Sequence, residues 1–331
     1  MKKNGQWPLI SIIFLAFALI MLLPATGACE KVYTIGITQI VTHPALDANR
    51  KGFIDQLAKE GFEEGKNVKY IFNNPEGDMS LAASIAQKFV AQKVDLILSI
   101  ATPTTQACAK AVRGTDIPIV FGSLTDPVAA DVVESWEKPG GNITGVSDWA
   151  DVGTQIKLVK ETCPDVKRLG VVYNAGETNS IVQVKELMKA APDLGIDKVV
   201  EASAATTGDV LVAGRSLIGR VDAIWVPTDN TIVSAFEALV KVCEDNKIPL
   251  FAADTATVDR GAIGTPGINY YVLGVECGKL AARILKGEKP ANIAVQKCAM
   301  TDLYLNPSAA ERFGVTIPES VMKKATKIVE E

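Results

Sequence analysis

The sequence predicts an α/β protein of two doubly wound lobes, each a parallel sheet with helices on both faces. Three observations carry this. Short β-branched runs alternate with longer amphipathic stretches from residue 31 nearly to the end, the pattern of βαβ units. The strand-like runs, such as 95–101 and 117–124, are continuously apolar, as strands buried on both faces must be. The segment Lys138-Pro139-Gly140-Gly141-Asn142 interrupts regular structure and divides the alternation in two.

The first run reads as strand 32–40 and helix 44–60 closed by Gly61, strand 68–72 and helix 79–92, strand 95–101 and helix 104–112, then strand 117–124 and a short helix 127–136. Strand 143–147 after the break is expected to cross between the lobes. The second run is helix 153–162, strand 168–173, helix 180–191, strand 198–202, helix 209–217, strand 222–227, helix 231–246 and strand 249–253. A helix at 273–286, a turn at 287–290 and a tail 301–331 holding a strand and one or two short helices complete the chain.

The N-terminus sets the compartment. Lys2 and Lys3, the apolar run 9–23 and the small residues 24–28 have the order of a signal peptide, expected over 1–28. The run is shorter than the roughly 20 residues of a membrane span. Cys29 leaves two routes open: lipidation at a Thr26-Gly27-Ala28-Cys29 box, or ordinary cleavage after Ala28. Either places the protein outside the cytoplasmic membrane, in the periplasm or on the membrane's outer face, with a lipid as its one expected tether. A net charge of −4 without a basic run argues against nucleic acid as a partner. Cys108, Cys163, Cys243, Cys277 and Cys298 are odd in number, so at most two pairs can form.

Catalysis and cofactors find little support. His43 is the single histidine, no Cys pair has zinc-site spacing, and no G-x-S-x-G, phosphate-binding or dinucleotide motif occurs. No metal and no cofactor is expected. An exported hydrolase would have to draw paired carboxylates from Asp126, Glu177, Asp229 and Asp254, whose separations a sequence does not set.

Ligands of open parallel sheets bind past the carboxyl ends of the strands. The residues expected there are Thr38, Gln39 and His43; Thr102 and Thr104; Thr125 and Asp126; Tyr173, Glu177, Asn179 and Ser180; Asp229 and Asn230; and Asp254. Each alone reads as a helix N-cap. Together they offer hydroxyls, amides and carboxylates, without the Lys, Arg or glycine-rich loop that a phosphate needs. That inventory suits a zwitterion: Thr102 or Thr104 for a carboxylate at a helix start, Asp229 or Glu177 for an ammonium. Trp225 belongs to a buried strand, whereas Trp149 and Tyr173 are placed to meet a ligand ring.

Several strings carry a resemblance. They are Gly36-Ile37-Thr38-Gln39-Ile40 with His43-Pro44-Ala45-Leu46-Asp47, Ala101-Thr102-Pro103-Thr104, Thr125-Asp126-Pro127, Asn142-Ile143-Thr144-Gly145-Val146-Ser147, Tyr173-Asn174 with Glu177, Asn179 and Ser180, Pro227-Thr228-Asp229-Asn230-Thr231, and Phe251-Ala252-Ala253-Asp254. In this order they resemble the ABC-transporter substrate-binding family of the tryptophan and tyrosine uptake type. The resemblance implies a type I periplasmic-binding fold with a three-strand hinge, the lobes being 31–146 plus 268–291 and 147–267 plus 292–331. It implies an aromatic amino acid held between the lobes by hinge closure, and an ABC permease and its ATPase as partners. A sensing subunit of a membrane receptor would use the same closure. Ala175 and Trp149 depart from the family pattern near the cleft and bear on side-chain specificity.

Overall fold

A computed structural model describes residues 31–300 and 302–330. The expected signal peptide and Cys29 lie outside the described residues. In chain order the elements are β1 (Tyr33–Gln39), α1 (Pro44–Lys59), β2 (Val68–Asn73), α2 (Met79–Ala91), β3 (Leu96–Ile100), α3 (Thr102–Ala111), β4 (Ile119–Gly122), β5 (Ile143–Ser147), α4 (Val152–Thr162), β6 (Arg168–Tyr173), α5 (Thr178–Ala190), β7 (Lys198–Ser203), α6 (Val210–Arg215), β8 (Ala223–Val226), α7 (Asn230–Ser234), α8 (Phe236–Asn246), β9 (Leu250–Ala252), β10 (Gly264–Gly267), α9 (Tyr270–Leu285), β11 (Gln296–Lys297), β12 (Asp302–Leu305), α10 (Pro307–Arg312), α11 (Glu319–Met322) and β13 (Lys327–Ile328).

The first lobe is built on the sheet β11-β5-β4-β3-β1-β2, parallel throughout. The order reverses at β1, which lies between β2 and β3, so the crossover helices fall on opposite faces. One core packs α1 and α9 against the sheet through Phe53, Leu57, Leu273 and Leu280. The other packs α2 and α3 through Ile85, Phe89 and Cys108. The second lobe repeats the arrangement on the parallel sheet β7-β6-β8-β9, with a single core around Trp225, Phe236 and Phe251. A small third sheet, β10-β12-β13, closes it.

Helices α1 and α9 approach so closely that glycine is required on both. A Cβ on Gly52 would stand 2.1 Å from the Tyr271 carbonyl oxygen, and one on Gly274 would stand 2.0 Å from that of Asn49. The seam fixes α9 to the first lobe although the chain reaches it from the second.

The chain crosses between lobes at 148–151, after β5, and again at 267–269, between β10 and α9. The third crossing differs from the expected boundary at 292. Strand β11 pairs with β5 in the first sheet (Gln296 opposite Val146, Lys297 opposite Ser147), so the chain leaves the first lobe only after Lys297. A two-residue strand leaves no periodic signal.

Two expected helices also differ. Residues 127–136 form turns, ordered by Asp126 accepting from the Val128 and Ala129 N–H groups. The stretch 231–246 breaks at Ala235 into α7 and α8. All five described cysteines are free thiols, and Cys108, Cys243 and Cys277 are fully buried. Among the described residues no helix is long and apolar enough to cross a membrane.

Candidate functional site

Between the lobes, at the carboxyl ends of β4, β5, β8 and β9, lies a tight polar cavity of about 10 Å³, room for a single water. His43, Leu46, Ser123, Thr125 and Tyr270 line it from the first lobe, and Asn179, Thr228, Asp229, Asn230, Val233 and Asp254 from the second. Asp148, on the first crossing, completes the wall. A larger groove bordered by Arg113, Asn142 and Lys289 opens to solvent at the opposite, amino-terminal end of β4 and β5. It carries none of this convergent polar chemistry.

Backbone strain collects beside the cavity. Ala101, between β3 and α3, has φ +84° and ψ 155°, a region almost reserved for glycine. Ser123, just past β4, has φ +54°. Such conformations cost on the order of 1–3 kcal/mol each, and they persist where the surroundings impose them.

The buried acids divide into two kinds. Glu177 is saturated. Its Oε1 accepts from the Thr231 N–H (3.0 Å) and hydroxyl (2.8 Å), and its Oε2 from the Asn230 N–H (3.1 Å) and from the side-chain amides of Asn230 and Asn179. The carboxylate thereby joins the start of α5 to the start of α7. Asp229 caps α7: Oδ1 accepts from the Ile232 N–H at 2.8 Å, and Oδ2 from the Asn174 N–H and the Ser180 hydroxyl, both at 2.6 Å. Burial, with repulsion from Glu177, pushes Asp229 up to about 7.

Asp148 and Asp254 have fewer partners. Asp148 accepts from the Thr125 hydroxyl at 2.8 Å and the Tyr270 hydroxyl at 3.3 Å. Asp254 accepts one hydrogen bond, from the Ala256 N–H at 2.8 Å. Burial pushes both up to about 6.

His43 is neutral. Burial and the nearby Arg260 charge hold it down at about 4, while Asp47 and a hydrogen bond with Asn230 act the other way. His43 Nδ1, Asn179 Oδ1 and Thr102 Oγ1 are buried and unpartnered, unusual for buried polar atoms. The first two belong to cavity residues. Among the described residues no group of three His, Cys, Asp or Glu side chains is placed to hold a metal ion.

Of the residues expected from the sequence, the cavity wall brings together His43, Thr125, Asn179, Asp229, Asn230 and Asp254. Glu177 and Ser180 lie one layer behind, as partners of Asn230 and Asp229. The others stand elsewhere. Gln39 bonds Asp47 and Arg50. Thr38 and Thr102 are buried outside the wall. Thr104 turns its hydroxyl back onto the Ile100 and Ala101 carbonyls. Asp126 is a turn cap. Tyr173 donates to Glu201 at 2.5 Å in an outer groove with Ile181 and Met188. Trp149 faces Lys297, whose ammonium lies between its ring (5.7 Å) and that of Trp136 (4.5 Å).

Asp148 and Tyr270 did not emerge from the sequence. Asp148 directly follows β5, so the strand-end rule applied to 143–147 would have found it. Tyr270 opens α9 three residues before the expected helix start, and nothing local marks it.

Two doubly wound lobes, three crossings and a polar cavity closed from both sides define a type I periplasmic-binding fold. The chain belongs to the family described as ABC transporter substrate binding protein, which matches residues 34–329. It is 42% identical over 277 residues to the "Tyrosine-binding protein" of Clostridioides difficile (strain R20291), covering 84% of this chain and 79% of that one. A solved domain from Streptococcus pneumonia in complex with L-Trp is 38% identical with a TM-score of 0.87, covering 90% of this chain and 100% of that chain. The ligand-free, open structure of a substrate binding protein with adhesive properties from Clostridium difficile is 41% identical, covers 90% and 99%, and has a TM-score of 0.69.

Proposed function

We propose that this protein is the extracytoplasmic receptor of an ABC importer and binds an aromatic amino acid, tryptophan, tyrosine or phenylalanine, by closing its lobes. The observation that carries this reading is the convergence of polar side chains from both lobes on one tight cavity. It mixes carboxylates, hydroxyls and amides with the apolar walls of Leu46, Val233 and Tyr270, a combination suited to one small amphipathic solute. The tyrosine-binding relative and the Trp-bound neighbour support the ligand class. The partners would be a membrane permease and its ATPase, to which the closed form hands its ligand. Cys29, where lipidated, would tether the chain to the membrane's outer face.

A hydrolase would have to work with Asp148 and Asp254, since Glu177 and Asp229 are held by backbone and side-chain donors. The test is a thermal-shift panel of amino acids, because a ligand raises apparent stability by RT ln(1 + [L]/Kd). A shift with aromatic amino acids and none with aliphatic ones is expected. A response to sugars alone would overturn the reading.

A further inference from the structure

We propose that Lys297 and Trp149 form a latch across the hinge, a cation on an indole face that favours the closed arrangement of the lobes before any ligand has arrived. The latch lies outside the cavity. It rests on the lobes being able to close, and not on which solute they close around.

The first and third crossings leave the first lobe side by side. Lys297 of β11 pairs with Ser147 of β5. The next N–H, that of Cys298, donates to the Ser147 carbonyl at 3.0 Å. Further along, the Asp151 N–H meets Met300 Sδ at 2.9 Å. Lys297 is anchored in the first lobe and met from the crossing. Its ammonium lies 4.5 Å from the centre of the Trp136 ring and 5.7 Å from that of Trp149, both within the roughly 6 Å over which a cation is drawn to an indole face. Trp136 packs against the α2–α3 core, and its carbonyl accepts the Val295 N–H at 2.8 Å. Trp149 lies beyond the end of β5, on the crossing itself, with its N–H held by Ser147 Oγ at 2.9 Å. Both rings are half-buried and Lys297 is exposed. Among the described residues no carboxylate lies within ion-pair distance of the Lys297 ammonium, so the indoles are what hold it.

The geometry has a direction. Trp136 and Lys297 move with the first lobe. Trp149 sits where the backbone must bend for the second lobe to swing. The contact is made with the cavity walled from both lobes. Bending the crossing draws the Trp149 indole off the cation, while Trp136 keeps its hold. An equilibrium shifts only through an interaction that differs between its two states, and this contact supplies one. A single cation–indole contact at an exposed site changes such a balance by about two- to fivefold. A larger closed fraction lowers the observed Kd in proportion. Trp149 thus contributes to affinity although it does not line the cavity.

The test joins small-angle X-ray scattering of the ligand-free protein to calorimetric titration with L-tyrosine and L-tryptophan. It is run on the wild type, Lys297→Gln, Trp149→Leu, the double variant and Lys297→Arg, with thermal melts to confirm folding. Lys297 is exposed, so its replacement leaves the cores intact and keeps the test open if Trp149→Leu fails to fold. Each of Lys297→Gln and Trp149→Leu should enlarge the ligand-free radius of gyration, leave the liganded radius unchanged and weaken binding by about two- to fivefold. The double variant should be no weaker than either single one, because the two groups act as a pair. Lys297→Arg should behave as the wild type, since a guanidinium also stacks on an indole. Unchanged scattering together with unchanged Kd in Lys297→Gln, or losses that add in the double variant, would overturn the latch while leaving the aromatic reading intact. A wild type that ignores both amino acids, with ligand-free scattering that still widens in Lys297→Gln, would overturn the aromatic reading and keep the latch.

Discussion

The hydroxyl of Tyr270 donates to Asp148 Oδ2 at 3.3 Å across 122 residues of sequence, joining the first crossing between the lobes to the second. Thr125 donates to the other oxygen at 2.8 Å. The carboxylate is thus oriented by groups of the first lobe while it faces a cavity shared with the second.

Tyr270→Phe removes one of the two hydroxyl donors. A hydrogen bond to a charged group is worth about 1.5–3 kcal/mol, so affinity for the aromatic amino acid should fall about tenfold or more. Calorimetric titration measures this directly. An unchanged Kd would show that the tyrosine ring, not its hydroxyl, matters.

Glu177→Ala should act on stability. It strips five hydrogen bonds from the junction of α5 and α7 and leaves the N–H groups of Asn230 and Thr231 without acceptors. Buried donors left unsatisfied cost about 1–3 kcal/mol each, so a loss of about 3 kcal/mol is expected. It would be read as a lower urea midpoint at constant m.

The unliganded protein should become less stable as pH rises through neutrality's acid side. Burial raises Asp148 and Asp254 to about 6 and Asp229 to about 7. A carboxyl raised in the folded state stabilises fully below its unfolded value, here 3.8, and loses that contribution as pH climbs through the folded value. His43 opposes this. Lowered from 6.5 to about 4, it contributes stability above 6.5 that is lost as pH falls through 4. Three carboxyls outweigh one imidazole, so Tm should decline between about pH 5 and 7.5. A saturating aromatic amino acid should flatten or reverse the slope. A rise in Tm without ligand over this range would contradict the assignment.

Gly274→Ala should disrupt the seam between α1 and α9, because the new Cβ meets backbone at 2.0 Å. Overpacking of this kind costs about 1–3 kcal/mol or more, visible as a lower Tm with little change in ligand preference.

Ala101→Gly should do the reverse. It relieves a backbone held at φ +84°, and after the entropy of glycine is counted a gain of about 1 kcal/mol is expected. A fall in Tm would mean that the methyl group's packing outweighs the strain.

The fold was legible because long periodic segments dominate it, and strands such as β3 and β4, buried on both faces, need uninterrupted apolar runs. The third crossing was not, since β11 is two residues long. The cavity's general position followed from the strand-end rule, which reached His43, Thr125, Asn179, Asp229, Asn230 and Asp254. The role of each acid did not follow. Glu177 and Asp254 look alike in sequence, and only the number of donors around each carboxylate separates a structural clasp from one free to meet a ligand. Tyr270 is a tertiary matter, fixed by the glycine seam that carries α9 back to the first lobe.

The cavity is walled from both sides by residues that, Thr228 apart, are buried. A solute inside cannot leave by sliding out; a lobe must swing first. Its residence time is then set by the opening rate of the hinge as much as by contact energy. Retention of a bound solute and its release are then governed by one and the same opening motion.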